Sequence, residues 1–428
     1  MGAGAAAVAQ ATARARTELS GRILAVTLRA VRDPDVAEEA TADAFVAALE
    51  TWPRTGIPDS VEAWLITVAR RKALDRIRRD QLARRMATRL VDRTRQVAAP
   101  ADARIEAGVI GDEELRLTVL CADPRLPESD QVALTLRWAC GVSTAAIAAA
   151  HLVSVPTMAA RLTRARKKLM AAGPQLDLPD DATVDARLPL VCRVVQLAYT
   201  LGHTAAEGTD LTDEDLAGRA VYLARTLHRQ RPTDPEITGL LALVLLGQGR
   251  AAGRIGPDGR QLLLADVDRG TWDPNLVTEG LATSELALAQ GMAAGRAPGA
   301  IALQAAISAA HTRASTFGET DWKLVVELYG MLLTVEPNPA LALGRCVAVS
   351  YLSGPEAGLV DLDAVLALGG LENYPYAHAA RAQMLDRAGR PADAAAAWTS
   401  AAERARSTAE RAWFVDRGAA SRVSVVRR

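Results

Sequence analysis

Between residues 143 and 169 the chain spaces its apolar residues in a way that only a helix packed along one face satisfies. Met158, Leu162, Ala165 and Leu169 follow at steps of four, three and four, the period of an α-helix, and make one buried stripe. Thr157, Arg161, Arg164 and Lys168 repeat the steps one position earlier and share a neighbouring, outward face. Ser154 stands before this helix as an N-cap, and Pro156 falls in its first turn, where no hydrogen bond needs its missing N–H. Upstream, Ser143 caps a shorter helix carrying Ile147 and Leu152, and Val153-Ser154 makes a tight turn between the two. Glu128–Cys140, opened by Pro127, is a further helix. A short helix, a tight turn and a helix with a basic outer face define a helix-turn-helix, which lays its second helix in the major groove of DNA. A solvated amphipathic helix would show the same stripe. The capped helix and turn before it favour the DNA reading.

A second basic helix precedes it. In Trp64–Arg79, residues Leu65, Val68, Ala69, Ala73 and Ile77 form the buried stripe, while Arg71, Asp75 and Arg78 share the exposed side. Formal net charge is zero over 428 residues, but the total hides an asymmetry. Residues 1–171 hold 26 basic against 20 acidic groups, the remainder 24 against 30, and residues 70–95 alone carry eleven Lys/Arg against three acids. Such density suits the phosphate backbone, with Arg70, Arg71, Lys72, Arg76, Arg78 and Arg79 as contacts. Further upstream, Asp33–Glu39 opens an acidic-faced helix that continues through Phe45 to Leu49. Acids at a helix start also suit the macrodipole, so Asp35 and Glu38 have a structural explanation as well.

In this order the segments resemble the extracytoplasmic-function (ECF) class of bacterial sigma factors over the first 172 residues. Asp33–Glu50 is similar to the polymerase-binding helix of region two, and Trp64–Arg79 to its promoter-melting helix. Thr51–Val61 would be the loop that captures a flipped base, and Glu128–Leu169 resembles region four, with Arg161–Arg166 close to the usual end of the recognition helix. The resemblance implies Asp35, Glu38, Glu39, Asp43 and Phe45 as the polymerase-binding set. Thr157, Arg161, Arg164 and Lys168 would contact promoter DNA together with the basic set of the melting helix. The chain departs from the family at Arg71, usually Asn, at Ala146, usually an acid, and at Ala160, usually polar.

The expected fold is all-α: a region-two bundle at 17–79, a linker at 80–111 containing Ala98-Ala99-Pro100-Ala101, region four at 112–172, and a helical block at 184–418 beyond Gly173-Pro174. Aromatics are only 4% of the chain, which suits closely packed Ala/Leu helices. The last block reads as helices joined by Gly/Pro/Asp turns. Its clearest unit, Ala377–Leu385, a turn through Ala388–Ala394, and Ala395–Ala405, is a helical hairpin of tetratricopeptide type. Small residues at Ala380, Ala394 and Ala401 allow close approach, and a less regular copy spans Trp322–Leu352. Ile255–Arg260, with Pro-Asp-Gly, is a turn signal for a small hairpin. The block also resembles the extension of one ECF subgroup, with Leu262–Asp273 among the matching stretches.

No catalytic constellation appears. The five histidines sit in unrelated contexts, and Gly247, Gly249 and Gly253 miss the dinucleotide spacing. Neither enzyme activity nor a cofactor or metal is expected. Cys121, Cys140, Cys192 and Cys346 are too dispersed for a metal knuckle and read as small buried hydrophobes of a reducing compartment. Met1–Ala13 lacks the pattern of a signal peptide, and the longest apolar run, Ile237–Leu246, is half a membrane span. The expected setting is cytoplasmic, away from the membrane. The expected partners are RNA polymerase core and promoter DNA, with an intramolecular contact between the C-terminal block and the sigma domains. The rival readings are a helix-turn-helix regulator and a solenoid scaffold, either acting without polymerase.

Overall fold

A computed structural model describes residues 2–88, 113–151, 153–171, 180–203, 214–254, 256, 262–405 and 408–426. Most of the 80–111 linker lies outside the described residues, as do Leu152, Gly173-Pro174 and, apart from Gly256, the Ile255–Arg260 turn. Among the described residues the fold is all-α, with no strand. The chain divides into two compact units, residues 1–198 and 199–428, and the division falls inside a helix.

The first unit opens with α1 (Gly2–Val31), α2 (Pro34–Thr55) and α3 (Val61–Thr88), which pack on one another as a bundle. Asp33 caps α2 by accepting from the backbone N–H groups of Asp35 and Val36, and Pro34 takes the first helical position. The bundle core gathers Val8, Ile23, Ala44, Phe45, Ala48, Trp52, Leu65 and Ala69, with Trp64 set edge-on to Trp52 at 5.3 Å. Of the expected stripe on α3, Leu65, Ala69 and Ala73 are buried, whereas Val68 and Ile77 are half-buried at its margin. α2 persists to Thr55 and ends where Gly56 takes φ 82°. The base-capturing loop expected over Thr51–Val61 is therefore shorter, residues 56–60.

Next come α4 (Glu113–Cys121), α5 (Glu128–Trp138), α6 (Thr144–Ala150) and α7 (Val155–Ala171). Ser143 caps α6 through the N–H of Ala146 at 3.0 Å, and Ser154 caps α7 through the N–H of Thr157 at 3.3 Å. α6 and α7 meet at 103°, within the range of a helix-turn-helix pair. Ile147, Met158, Ala165 and Leu169 are buried, and Leu162 is half-buried. Helix α8 (Asp181–His203) is fastened to this unit by its first half: Arg187 donates to the Val119 carbonyl at 3.0 Å and to Asp123 at 3.3 Å, and Arg193 pairs with Glu128 at 2.7 Å.

The second unit continues with α9 (Glu214–Gln230), α10 (Pro235–Gly249), α11 (Pro274–Ala293) and α12 (Ala300–Arg313). Its almost wholly buried helix, α10, is covered by α9, α11 and α12, as its continuous apolar run requires. α10 meets α12 so closely that a Cβ on Gly239 would lie 2.8 Å from the Ala302 Cα. Helical hairpins follow: α13 (Trp322–Val335), α14 (Pro339–Leu352), α15 (Pro355–Ala367), α16 (Pro375–Arg387), α17 (Pro391–Glu403) and α18 (Thr408–Val426), each packed on the next. The hairpin expected around Ala388–Ala394 is α16–α17. Gly389 turns it at φ 73°, and Ala380, Ala394 and Ala401 are buried at the crossing. Trp398 is buried there too and donates its indole N–H to Asp386 at 3.1 Å.

Candidate nucleic-acid interface

The basic residues of α3 divide by environment. Arg70, Arg71, Arg78 and Arg79 are exposed, and Lys72 is half-buried. Arg76 is half-buried and pairs with Glu39 of α2. Arg78 stands 3.6 Å from Asp75, while Arg79 folds back 3.3 Å onto the Asp75 carbonyl. At about 100° per residue, Arg71 and Arg78 share the middle of the exposed arc, with Arg70 and Arg79 at its two edges about 180° apart. Exposed guanidiniums are the groups that suit a phosphate backbone.

On α7, Thr157, Arg164 and Lys168 are exposed, and Thr157 shares a 2.7 Å hydroxyl contact with the capping Ser154. Arg161 departs from the outward face on which the spacing places it. Its side chain is 24% exposed and reaches sideways to α5, donating to Asp130 and to the Ser129 hydroxyl. Two polar groups at the start of α5 capture a long, flexible side chain that solvent would otherwise hold. His151, at the end of α6, lies in the same neighbourhood. Burial lowers its pKa, the Arg161 cation lowers it further, and Asp130 acts in the opposite sense.

The acids of α2 also differ among themselves. Asp35, Glu39 and Asp43 are exposed and Glu38 is half-buried. Phe45 is not a surface anchor: it is 7% exposed and belongs to the bundle core. The apolar residues that α2 does present to solvent are Val46, 52% exposed, and Leu49, 48% exposed. With Glu39 and Asp43 they make one stripe at helical spacing. The sequence carried that signal, since Val46 follows Asp43 by three and Leu49 follows Val46 by three.

Two further residues escaped the sequence reading. Arg166 on α7 pairs with Asp35 at 2.5 Å and with Glu38 at 3.3 Å, and Arg137 on α5 stands 3.6 Å from Glu38. The usable signal was angular. At about 100° per residue, Arg166 lies about 180° around α7 from Thr157, beyond the apolar stripe and away from the outward basic face. Among the described residues no group of three or more His, Cys, Asp or Glu could hold a metal ion, and the four cysteines are buried and form no disulfide. Nor is any single described helix long and apolar enough to cross a membrane.

Comparison with known proteins accounts for these parts. Residues 17–83 match sigma-70 region 2, residues 117–169 match sigma-70 region 4, and residues 187–288 match a family of unknown function, DUF6596. The chain thus combines a sigma-70 region 2, a sigma-70 region 4 and a helical extension that follows them in sequence. The chain belongs to the same family as the uncharacterized protein R00370 of Rhizobium meliloti (strain 1021), to which it is 37% identical over 393 residues, 90% of each chain. More distantly it is similar to ECF RNA polymerase sigma factors SigK. That of Mycolicibacterium vanbaalenii is 28% identical over 36% of this chain and 77% of its own length. That of Mycobacterium ulcerans is 26% identical over 35% of this chain and 78% of its own length.

Proposed function

We propose that the chain is an ECF-type sigma factor that binds RNA polymerase core, opens promoters and carries its own regulatory domain. The observation that carries the reading is the presence, in one chain and in order, of two unlike basic surfaces. One is the basic set Arg70, Arg71, Lys72, Arg76, Arg78 and Arg79 on α3. The other is a capped helix-turn-helix presenting Thr157, Arg164 and Lys168, with Arg161 braced beside them. A regulator that only reads a duplex has use for the second surface and none for the first. The stripe of Glu39, Asp43, Val46 and Leu49 would dock on the polymerase, its acids facing basic groups and its two apolar side chains supplying area. The work is non-enzymatic and belongs in the cytoplasm, where polymerase and promoter DNA are found.

The helical block at 184–418 we assign to regulation within the same chain. It resembles tetratricopeptide hairpins in the α16–α17 unit, and hairpin arrays present long surfaces for peptides or domains. The deciding experiment is co-purification of the full chain with polymerase core, followed by transcription from a cognate promoter. Core retention with promoter-dependent transcripts is the expected result. DNA binding without core retention would leave a helix-turn-helix regulator instead, and neither would leave a scaffold. Truncation after Ala172 tests the regulatory assignment, which fails if transcription and core affinity are both unaltered.

A further inference from the structure

In the second unit a cavity of about 460 Å³ opens where α14, the α16–α17 hairpin and α18 converge. Leu263, Tyr351 and Trp398 give it an apolar side, and Arg387, Arg417 and Asp386 a charged one. Space of this order holds a small organic molecule, and such sites combine apolar walls with a few convergent polar groups. The segment before α11 closes one side: Leu263 lines the cavity, and Asp266 pairs with Arg417 at 3.1 Å. With that segment across it the space is a pocket, not a groove running along the hairpins, and suits a small molecule better than an extended peptide. The charges are unequally satisfied. Asp386 accepts from the Trp398 indole N–H at 3.1 Å and from the Ser421 hydroxyl at 2.9 Å, and Arg417 has Asp266. Arg387 differs. It donates to the Ser350 hydroxyl at 2.9 Å and the Ser350 carbonyl at 2.8 Å, both neutral, and among the described residues no carboxylate pairs with it. Ser350 is 1% exposed, a firm anchor. From the other side the guanidinium lies 3.9 Å over the Tyr351 ring, itself stacked on Trp322 at 4.5 Å.

We propose that this pocket binds a small amphiphilic carboxylate, with its apolar body against Leu263 and Trp398 and its carboxylate on Arg387. A cation that lines a pocket without a counter-ion calls for an anion, and the planar guanidinium fork matches a carboxylate. Because Ser350 and Tyr351 already hold the side chain, binding costs it little further freedom. The same wall limits the charge of the ligand. Asp386 and Asp266 would repel a polyanion such as a phosphate monoester, so a single negative charge is what the pocket accommodates. An inorganic anion would leave the apolar side wet, which an aromatic or aliphatic body corrects. On the regulatory assignment above, this molecule would be the signal that the extension senses; the site itself does not depend on that assignment.

The test uses the full chain, without polymerase or DNA, and dansylglycine as the probe: a fluorescent aromatic body with one carboxylate. Dansylglycinamide, the same body without the charge, is the control. The expected result is saturable one-to-one binding of dansylglycine below about 1 mM, seen as brighter dansyl emission with energy transfer from tryptophan, since Trp398 lines the cavity. Dansylglycinamide should bind about ten- to hundredfold more weakly, as loss of a hydrogen bond to a charged group implies. Arg387→Gln should weaken dansylglycine by a similar factor and Arg387→Lys by less, because Lys keeps the charge and loses the fork. Ala420→Trp, at an exposed position of α18 on the cavity rim, should abolish binding by filling the space. No saturable binding of dansylglycine up to about 1 mM overturns the site, and equal affinity for acid and amide overturns its preference for an anion. Unchanged affinity in Arg387→Gln and Ala420→Trp places any binding elsewhere and overturns it too. Should urea unfolding show that Arg387→Gln disturbs the fold, Ala420→Trp still decides the location and the amide control still decides the charge.

Discussion

Replacing Arg161 should damage region four in two separable ways, because its side chain is braced on α5 and, on the proposed function, it also meets promoter DNA. Arg161 and Asp130 are 24% and 19% exposed, so solvent screens their pair less than a surface ion pair. Charge-assisted hydrogen bonds of this kind contribute about 1.5–3 kcal/mol. Arg161→Ala leaves the Asp130 carboxylate and the Ser129 hydroxyl without their partner, and should cost region four a similar amount. Arg164→Ala, at an exposed position, should stay within about 0.5 kcal/mol while still weakening promoter binding. A double-mutant cycle with Asp130→Asn in denaturant unfolding should give a coupling of about 1–2 kcal/mol. His151 reports independently. Its folded pKa lies below the ordinary histidine range, so the neutral ring stabilises the fold above that range, and the contribution is lost as pH falls toward the lowered value. Removing the Arg161 cation should move the His151 NMR titration upward, and Asp130→Asn should move it further down. A coupling below about 0.3 kcal/mol together with an unmoved His151 titration would refute the bracing.

Other outcomes follow from the same geometry. Phe45→Ala should cost about 3–5 kcal/mol in thermal or urea unfolding, as truncation of a buried aromatic does. Val46→Glu with Leu49→Glu should leave stability within about 0.5 kcal/mol per site yet abolish co-purification with core; retained binding would move the polymerase contact off α2. In the second unit, burial first, then Arg250 and Arg269, push the His311 pKa down to about 4. Its neutral form stabilises the unit fully above about pH 6.5, and about 3 kcal/mol is lost as pH falls toward 4. Urea midpoints in His311→Asn should therefore fall less between pH 7.5 and 5 than in the parent chain, and equal slopes would refute the burial account. Gly239→Ala should destabilise by about 1–3 kcal/mol, because its Cβ meets α12 backbone. A net gain, as helix propensity alone would give, would show that α10 and α12 can part.

Local signals carried the architecture. Ser143, Ser154 and Pro156 punctuate α6 and α7 as the spacing requires, since caps and periodicity act within one or two turns. The same reasoning placed the α16–α17 hairpin, where Gly389 takes the positive φ that its turn demands. It failed wherever a partner is distant in sequence. Arg161 meets Asp130 31 positions away, and Arg166 meets Glu38 at a separation of 128; no helical period encodes such pairs. Phe45 and Val46 illustrate a subtler limit. They are neighbours on one helix, and about 100° of rotation separates core from solvent. Apolar character alone therefore cannot say which of the two a partner would touch.

The arginines of α7 show how one helix divides its charge among three surfaces. Thr157, Arg161, Arg164 and Lys168 fall within about 60° of arc, and the apolar stripe lies about 100° away. A lone Arg166 continues in the same sense to about 180°. Side chains at the edge of an arc can turn either way, and Asp130 draws Arg161 off the rim toward α5. Arg166 has no such choice: past the stripe, the surface available to it is the body of region two, where Asp35 and Glu38 stand. The exposed basic face and the packing on region two therefore use opposite sides of one helix. On the proposed function, charge reversal at Arg164 should impair DNA binding with urea unfolding of the first unit unchanged, whereas reversal at Arg166, which breaks the pairs with Asp35 and Glu38, should do the converse. Equal effects of both reversals on both readouts, in gel-shift and urea-unfolding measurements on the full chain, would show that the two sides of α7 do not act separately.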